Sequence, residues 1–119
     1  MPITISAEPG NVYCLRIGGV LEKADLDRCQ KRLAHDIARV GPVRLLVVLD
    51  GFEGWEPHAN WSDLTFYAQH DDDIERIAIV GDDRWRSESL MFVGADLRKA
   101  PVNFYNEDAL TDARAWVAA

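Results

Sequence analysis

The chain has 119 residues, with 13 basic and 20 acidic side chains and a formal net charge of −7. This size predicts one domain over residues 1–119, large enough to bury a core. The acidic balance argues against a nucleic-acid binder, because phosphate neutralisation needs clustered Lys and Arg. The apolar runs are too short to cross a bilayer and the first ten residues lack a secretory-signal pattern, so we expect a cytoplasmic protein.

Two strands are predicted at the start of the chain, over residues 3–6 and 12–20. The segment 8–11 between them contains Pro and Gly in sequence, which is typical of a turn. The second strand alternates, with Tyr13, Leu15 and Ile17 on one face. This pattern predicts a hairpin whose first strand is an antiparallel edge of the sheet.

Residues 24–40 change to a helical period. The apolar stripe expected to face the core consists of Leu26, Cys29, Leu33, Ile37 and Val40. A basic stripe lies opposite and consists of Arg28, Arg32, His35 and Arg39. Such a stripe fits an acidic partner or an anionic membrane surface. The simpler explanation is a solvated helix face that is neutralised by acidic residues of the same helix.

The remaining elements alternate between strand and helix. Residues 43–50 form an apolar run typical of a buried parallel strand, and residues 50–60 carry loop-forming glycines and a proline. The later predictions are a helix over 61–71 capped by Asn60, a strand over 74–81, a helix over 84–94 capped by Asp82 or Asp83, a strand over 100–106, and a final helix capped by Asn106. The sequence therefore predicts an α/β fold: a mostly parallel sheet of about five strands, an antiparallel N-terminal edge strand and four helices.

The candidate site lies at the carboxyl ends of the central strands, where α/β folds place their ligands. Loop 50–60 and segment 80–85 each carry an acid followed by a tryptophan. The third helix adds an apolar block, and this surplus of apolar side chains indicates either core packing or a pocket. The candidate ligand-binding residues are Asp50, Phe52, Trp55, Trp61, Asp82, Trp85, Met91 and Phe92.

No catalytic motif is present. The serines lack the nucleophile-elbow pattern, the three histidines are scattered, and helix capping accounts for Asp82 and Asp83. Cys14 and Cys29 lack the spacing of a metal or redox motif. We therefore predict no enzymatic activity, no metal and no cofactor.

Four segments in order resemble the SpoIIAA-like family, whose STAS-type fold is that of anti-sigma-factor antagonists. They are "RIGGVLEKADLDR", "VRLLVVLDGFEGW", "RIAIVGDDRW" and "VNFYNEDALTDARAWV", and the resemblance covers about 12–118. It implies a STAS-like fold. In phosphoregulated members a Ser or Thr begins the helix after the strand matched by 43–50. Here no hydroxyl residue lies between Asp50 and Asn60, and Ser62 comes a turn later.

Two functions follow from these observations. The first is a non-enzymatic binding module for an apolar or lipid-like ligand, or for a membrane surface contacted peripherally, through the aromatic loop 50–61. The alternative is a protein-interaction or regulatory module, homodimeric or with another partner, that lacks the usual phosphoacceptor hydroxyl.

Overall fold

The computed structural model describes residues 3–61 and 65–119, and a five-stranded sheet forms its centre. The strands are β1 (Ile3–Glu8), β2 (Val12–Leu21), β3 (Val43–Trp55), β4 (Ile74–Gly81) and β5 (Val102–Asn106), and they lie side by side in chain order. β1 pairs antiparallel with β2, and all later pairs are parallel. The predicted sheet and its antiparallel edge strand are confirmed.

Four helices connect or follow the strands, as predicted. They are α1 (Lys23–Val40), α2 (Thr65–His70), α3 (Arg86–Phe92) and α4 (Leu110–Ala118), with short 3₁₀ turns at Asp71–Asp73, Asp83–Trp85, Ala95–Leu97 and Glu107–Ala109. Asp82 and Asn106 cap the turns before α3 and α4. The predicted helix over 61–71 includes residues 62–64, and these, with Ser62 among them, lie outside the described residues.

The two faces of the sheet carry separate cores. The parallel strands follow one another across the sheet in chain order, so right-handed crossovers place the connecting helices on one face. The helix that follows the last strand, α4, packs on the other face. The larger core includes Tyr13, Leu15, Ile17, Cys29, Leu33, Ile37, Leu45, Phe52 and Ile79. The smaller core, packed against α4, consists of Val12, Cys14, Leu46, Val48, Ala78, Val80, Ala113 and Val117.

β3 is longer than predicted, and the expected loop over 50–60 is wrong for its first half. Gly51 and Gly54 adopt positive φ angles of 65° and 112°, which only glycine reaches without strain. The strand is therefore bent but not ended, and it stays paired with β2 as far as Trp55. A Cβ on Gly18 would lie 2.8 Å from the carbonyl oxygen of Asp50. Glycines thus permit close contact between the two strands, and Phe52 and Trp55 belong to a strand.

α1 buries most of its predicted apolar stripe. Cys29, Leu33 and Ile37 are buried and Leu26 packs against the core, but Val40 at the helix end is exposed. Among the described residues no helix is both long and apolar enough to span a bilayer.

Candidate functional site

An aromatic cluster forms where β3 meets α3. Phe52 is buried and contacts Trp55 and Trp85, with ring centroids 5.0 and 4.9 Å apart in edge-to-face arrangements. Trp55 continues the cluster to Trp85 at 5.9 Å and to Phe92 at 5.4 Å. These are favourable separations for aromatic pairs. The structure therefore brings together four of the predicted site residues on the face that carries the larger core.

Trp61 joins this cluster from the connection after β3. Its ring lies 5.5 Å from that of Phe92, and its indole Nε1–H donates to the carbonyl oxygen of Glu56 at 2.9 Å. Glu56 is itself tied to α1, because its carboxylate accepts a hydrogen bond from the backbone N–H of Lys23 at 3.1 Å. The same residue donates its own N–H to Leu21 at 2.9 Å. Glu56 therefore fixes the position of Trp61.

An open groove runs between these elements. Its volume is about 380 Å³, and its lining consists of Trp55, Trp61, Glu88, Met91 and Phe92. Met91 is 77% exposed, an unusual fraction for a large apolar side chain. Glu88, exposed on the first turn of α3, is the only ionisable side chain among the described lining residues.

The end of α3 behind the groove is held by a buried cation. The side chain of Arg98 is only 4% exposed; its Nε donates to the carbonyl oxygen of Val93 at 2.5 Å, and its guanidinium lies 4.2 Å from the ring centroid of Tyr67. The Tyr67 hydroxyl donates to the carbonyl oxygen of Phe92 at 3.4 Å, and burial raises the pKa of Tyr67. These contacts fix the backbone that carries Phe92.

Three buried polar atoms in and behind the groove lack partners. The indole nitrogen of Trp55, the hydroxyl of Ser89 and one terminal guanidinium nitrogen of Arg98 have no hydrogen-bond partner within residues 3–61 and 65–119. An unpaired buried donor costs about 1–3 kcal/mol. Because the indole N–H of Trp55 has no hydrogen bond to hold it, the ring contacts with Phe52, Trp85 and Phe92 set the position of this side chain.

The two predicted acids lie outside the groove. Asp50 is 70% exposed and pairs with Arg16 at 3.7 Å. Asp82 accepts a hydrogen bond from the N–H of Arg84 at 2.9 Å and borders a separate pocket of about 160 Å³ beside Phe52 and Trp85. In the described parts of the chain no three acidic, His or Cys side chains form a metal-binding group.

The predicted basic stripe is largely engaged within its own helix. Arg28 pairs with buried Asp25, while Arg32 and Arg39 pair with buried Asp36 at 3.3 and 3.6 Å. His35 is exposed. The charges of three of the four stripe residues are thus partly neutralised locally, as in the solvated-face alternative.

Sequence reasoning missed three residues of this region. Glu88 was hidden because one carboxylate on a helix has no distinguishing pattern. Glu56 and Arg98 act on partners brought near by the fold, and Glu56 acts across 33 positions of sequence. The other four lining residues, Trp55, Trp61, Met91 and Phe92, were among the predicted site residues, because the aromatic loop and the apolar block of the third helix pointed to them.

The mixed sheet with helices on both faces defines an α/β protein with a STAS-type fold, and the candidate site lies at the end of its longest strand. The SpoIIAA-like family model matches residues 12–118, and the chain belongs to this family. The crystal structure of an uncharacterised DUF3478-family protein with a SpoIIAA-like fold, from Shewanella loihica PV-4, is similar to it. That structure has a TM-score of 0.70 at 22% identity, covering 97% of this chain and 91% of the other. No curated protein matches the sequence.

Proposed function

We propose that this protein is a non-enzymatic binding module that takes an apolar or lipid-like ligand in the groove between β3 and α3. The observation that carries the proposal is a preformed groove with two tryptophans, a phenylalanine and a 77% exposed methionine in its lining. Its volume falls within the range of small-molecule sites. Among the described residues the lining holds a single carboxylate and no nucleophile, which supports binding rather than acid–base or covalent chemistry.

The groove suits an apolar guest for two physical reasons. Its aromatic walls are already held by ring contacts and by the anchored turn of Glu56, so little ordering is needed when a ligand enters. Met91 is flexible and polarisable, which lets it adapt to irregular apolar shapes. The same side chains could instead insert into a membrane surface. The net charge of −7 favours a neutral membrane surface over an anionic one.

The test is a titration with n-dodecyl-β-maltoside, a neutral amphiphile, below its micelle concentration, followed by tryptophan fluorescence. We expect a saturable change, because Trp55 and Trp61 line the groove. Met91→Ser should weaken binding roughly tenfold, since it removes about 1.4 kcal/mol of apolar contact. Neutral vesicles provide the membrane arm of the same titration.

Leu97→Ser is the matched control. Leu97 is 85% exposed and does not line the groove, so its substitution removes a similar exposed apolar side chain elsewhere. The affinity of the Leu97→Ser variant for dodecyl maltoside should equal that of the unsubstituted protein. An unsaturable titration, or equal losses in both variants, would overturn the proposal.

A protein-interaction or regulatory module is the second candidate, and the exposure of Leu97 favours it. Within residues 3–61 and 65–119, Met91 and Leu97 are the two most exposed large apolar side chains, and they lie six positions apart. A protein contact through this segment would be weakened by Leu97→Ser as well as by Met91→Ser. Sedimentation velocity of both variants distinguishes this candidate when the partner is a second copy of the chain.

A further inference from the structure

The charge of the groove separates possible ligands more sharply than its apolar lining does. Among the residues that the structure describes, Glu88 is the only charged one in the lining, and it forms no hydrogen bond or ion pair with any of them. The described lining contains no Lys or Arg. Of the two arginines nearest in sequence, Arg84 stacks on Trp85 at 4.8 Å, and Arg86 pairs with Asp83 and lies over Phe104.

The aromatic walls reinforce this preference. The rings of Trp55 and Trp61 flank that of Phe92 and are inclined to it by 47° and 74°. The three rings therefore border the groove from different directions. A cation within about 6 Å of such a ring is attracted by its quadrupole, and tryptophan is the strongest partner.

We propose that this groove selects ligands that carry a positive charge on an apolar body, of the alkylated-ammonium class. Three aromatic rings and an unpaired carboxylate match such a cation, whereas an anionic head group would meet Glu88 with no compensating base. The apolar chain of the ligand would lie against Met91. This inference rests on the proposed function, because it names the charge class of the ligand for the same groove.

The experiment compares three amphiphiles with the same dodecyl chain: dodecyltrimethylammonium, dodecyl maltoside and dodecanoate. Each is titrated below its micelle concentration at fixed ionic strength, with calorimetry as the readout. We expect the cation to bind about tenfold tighter than the maltoside, from cation–π attraction together with the carboxylate. Dodecanoate should bind weakest of the three.

Two variants separate the sources of this preference. Glu88→Gln should weaken binding of the cation about threefold to fivefold and leave the maltoside unchanged. Trp61→Leu keeps an apolar wall but loses the indole, so it should reduce the preference for the cation more than the affinity for the maltoside. Circular dichroism checks that both variants fold, and Glu88 is exposed, so Glu88→Gln should fold normally.

Glu53→Gln is the matched control for net charge. Glu53 is an exposed acid of β3 outside the groove lining, and its substitution changes the net charge by the same amount. It should not change the affinity for the cation. Equal binding of cation and maltoside, or equal effects of Glu53→Gln and Glu88→Gln, would overturn the charge preference and leave the proposed function standing. No saturable binding of any probe would overturn both.

Discussion

Asp36 is a buried carboxylate at the centre of a polar network on α1. It is 3% exposed, accepts a hydrogen bond from the buried Tyr13 hydroxyl, and pairs with Arg32 and Arg39. The Tyr13 hydrogen bond and the two arginines hold the pKa of Asp36 below its ordinary value. Burial and this hydrogen bond raise the pKa of Tyr13. The ionised carboxylate therefore stabilises the contact between α1 and β2.

Asp36→Asn should remove a pH-dependent part of the stability. Because the folded pKa lies below the unfolded value of about 3.9, the stabilisation is complete above that value and is lost as pH falls through the folded pKa. The unfolding free energies of the two proteins should differ most near neutral pH and converge below about pH 4. Urea unfolding between pH 3 and pH 7 measures this difference.

Tyr13→Phe is the companion variant, because it removes the main cause of the lowered pKa and keeps the ring. The Tyr13→Phe variant should show a smaller pH dependence of the unfolding free energy than the unsubstituted protein. Both variants should still lose some stability in acid, because the pKa of Glu8 is lowered by its hydrogen bond to Arg114. A difference between wild type and Asp36→Asn that is constant over this range would contradict the assignment.

At the scale of elements, α4 is attached to the sheet by arginines from neighbouring strands. Arg76 of β4 donates to the carbonyl oxygen of Trp116 at 2.6 Å and lies over its ring at 5.3 Å. Arg44 of β3 donates to the carbonyl oxygens of Val117 and Ala119. The last carbonyls of a helix have no intrahelical partners and carry partial negative charge, so cations stabilise them. These contacts fix a helix of only nine residues.

Arg76→Met should loosen α4 while the strands stay protected. Methionine keeps the apolar stem of the side chain but cannot donate to Trp116, a loss of about 1 kcal/mol. Amide hydrogen exchange in α4 should therefore become roughly fivefold faster. Arg86→Met is the control, since Arg86 also lies over a ring, that of Phe104, but holds no helix end. Unchanged exchange in α4 would show that Arg76 does not hold the helix.

At the scale of the whole molecule, the sheet separates two cores, one packed against the short helix α4 and the other against the long helix α1. Cys14 belongs to the core beneath α4, and Cys29 to the larger core beneath α1. Both thiols are buried and free. Burial raises the pKa of Cys14 and raises that of Cys29 to about 11. Each thiol is therefore unreactive until its own side of the molecule opens.

Cys14 should be alkylated before Cys29 in native buffer. Undocking of one short helix exposes Cys14, whereas Cys29 requires the opening of an 18-residue helix packed on the main core. N-ethylmaleimide labelling at pH 8, followed by peptide mass spectrometry, measures both rates. The rates should converge as urea approaches the unfolding midpoint. Equal rates in native buffer would mean that α4 does not open separately.

The sequence by itself determined the type and order of the elements. Alternating and helical periods in Tyr13–Ile17 and Leu26–Ile37 record which side chains face an apolar interior, and this information is local. The continuous apolar runs of β3 and β4 likewise indicated strands covered on both faces. The family resemblance rested on four sequence segments in order, and the aromatic residues of the candidate site were also identified from the sequence.

Only the tertiary structure decided where β3 ends and what surrounds its aromatic residues. Gly51 and Gly54 look like loop residues in sequence, but pairing with β2 keeps them in the strand. The placement of Glu88 beside Trp55 and Trp61 depends on packing between elements that are distant in the sequence. Such contacts leave no periodic signal in a single sequence, because each partner is selected by position in space.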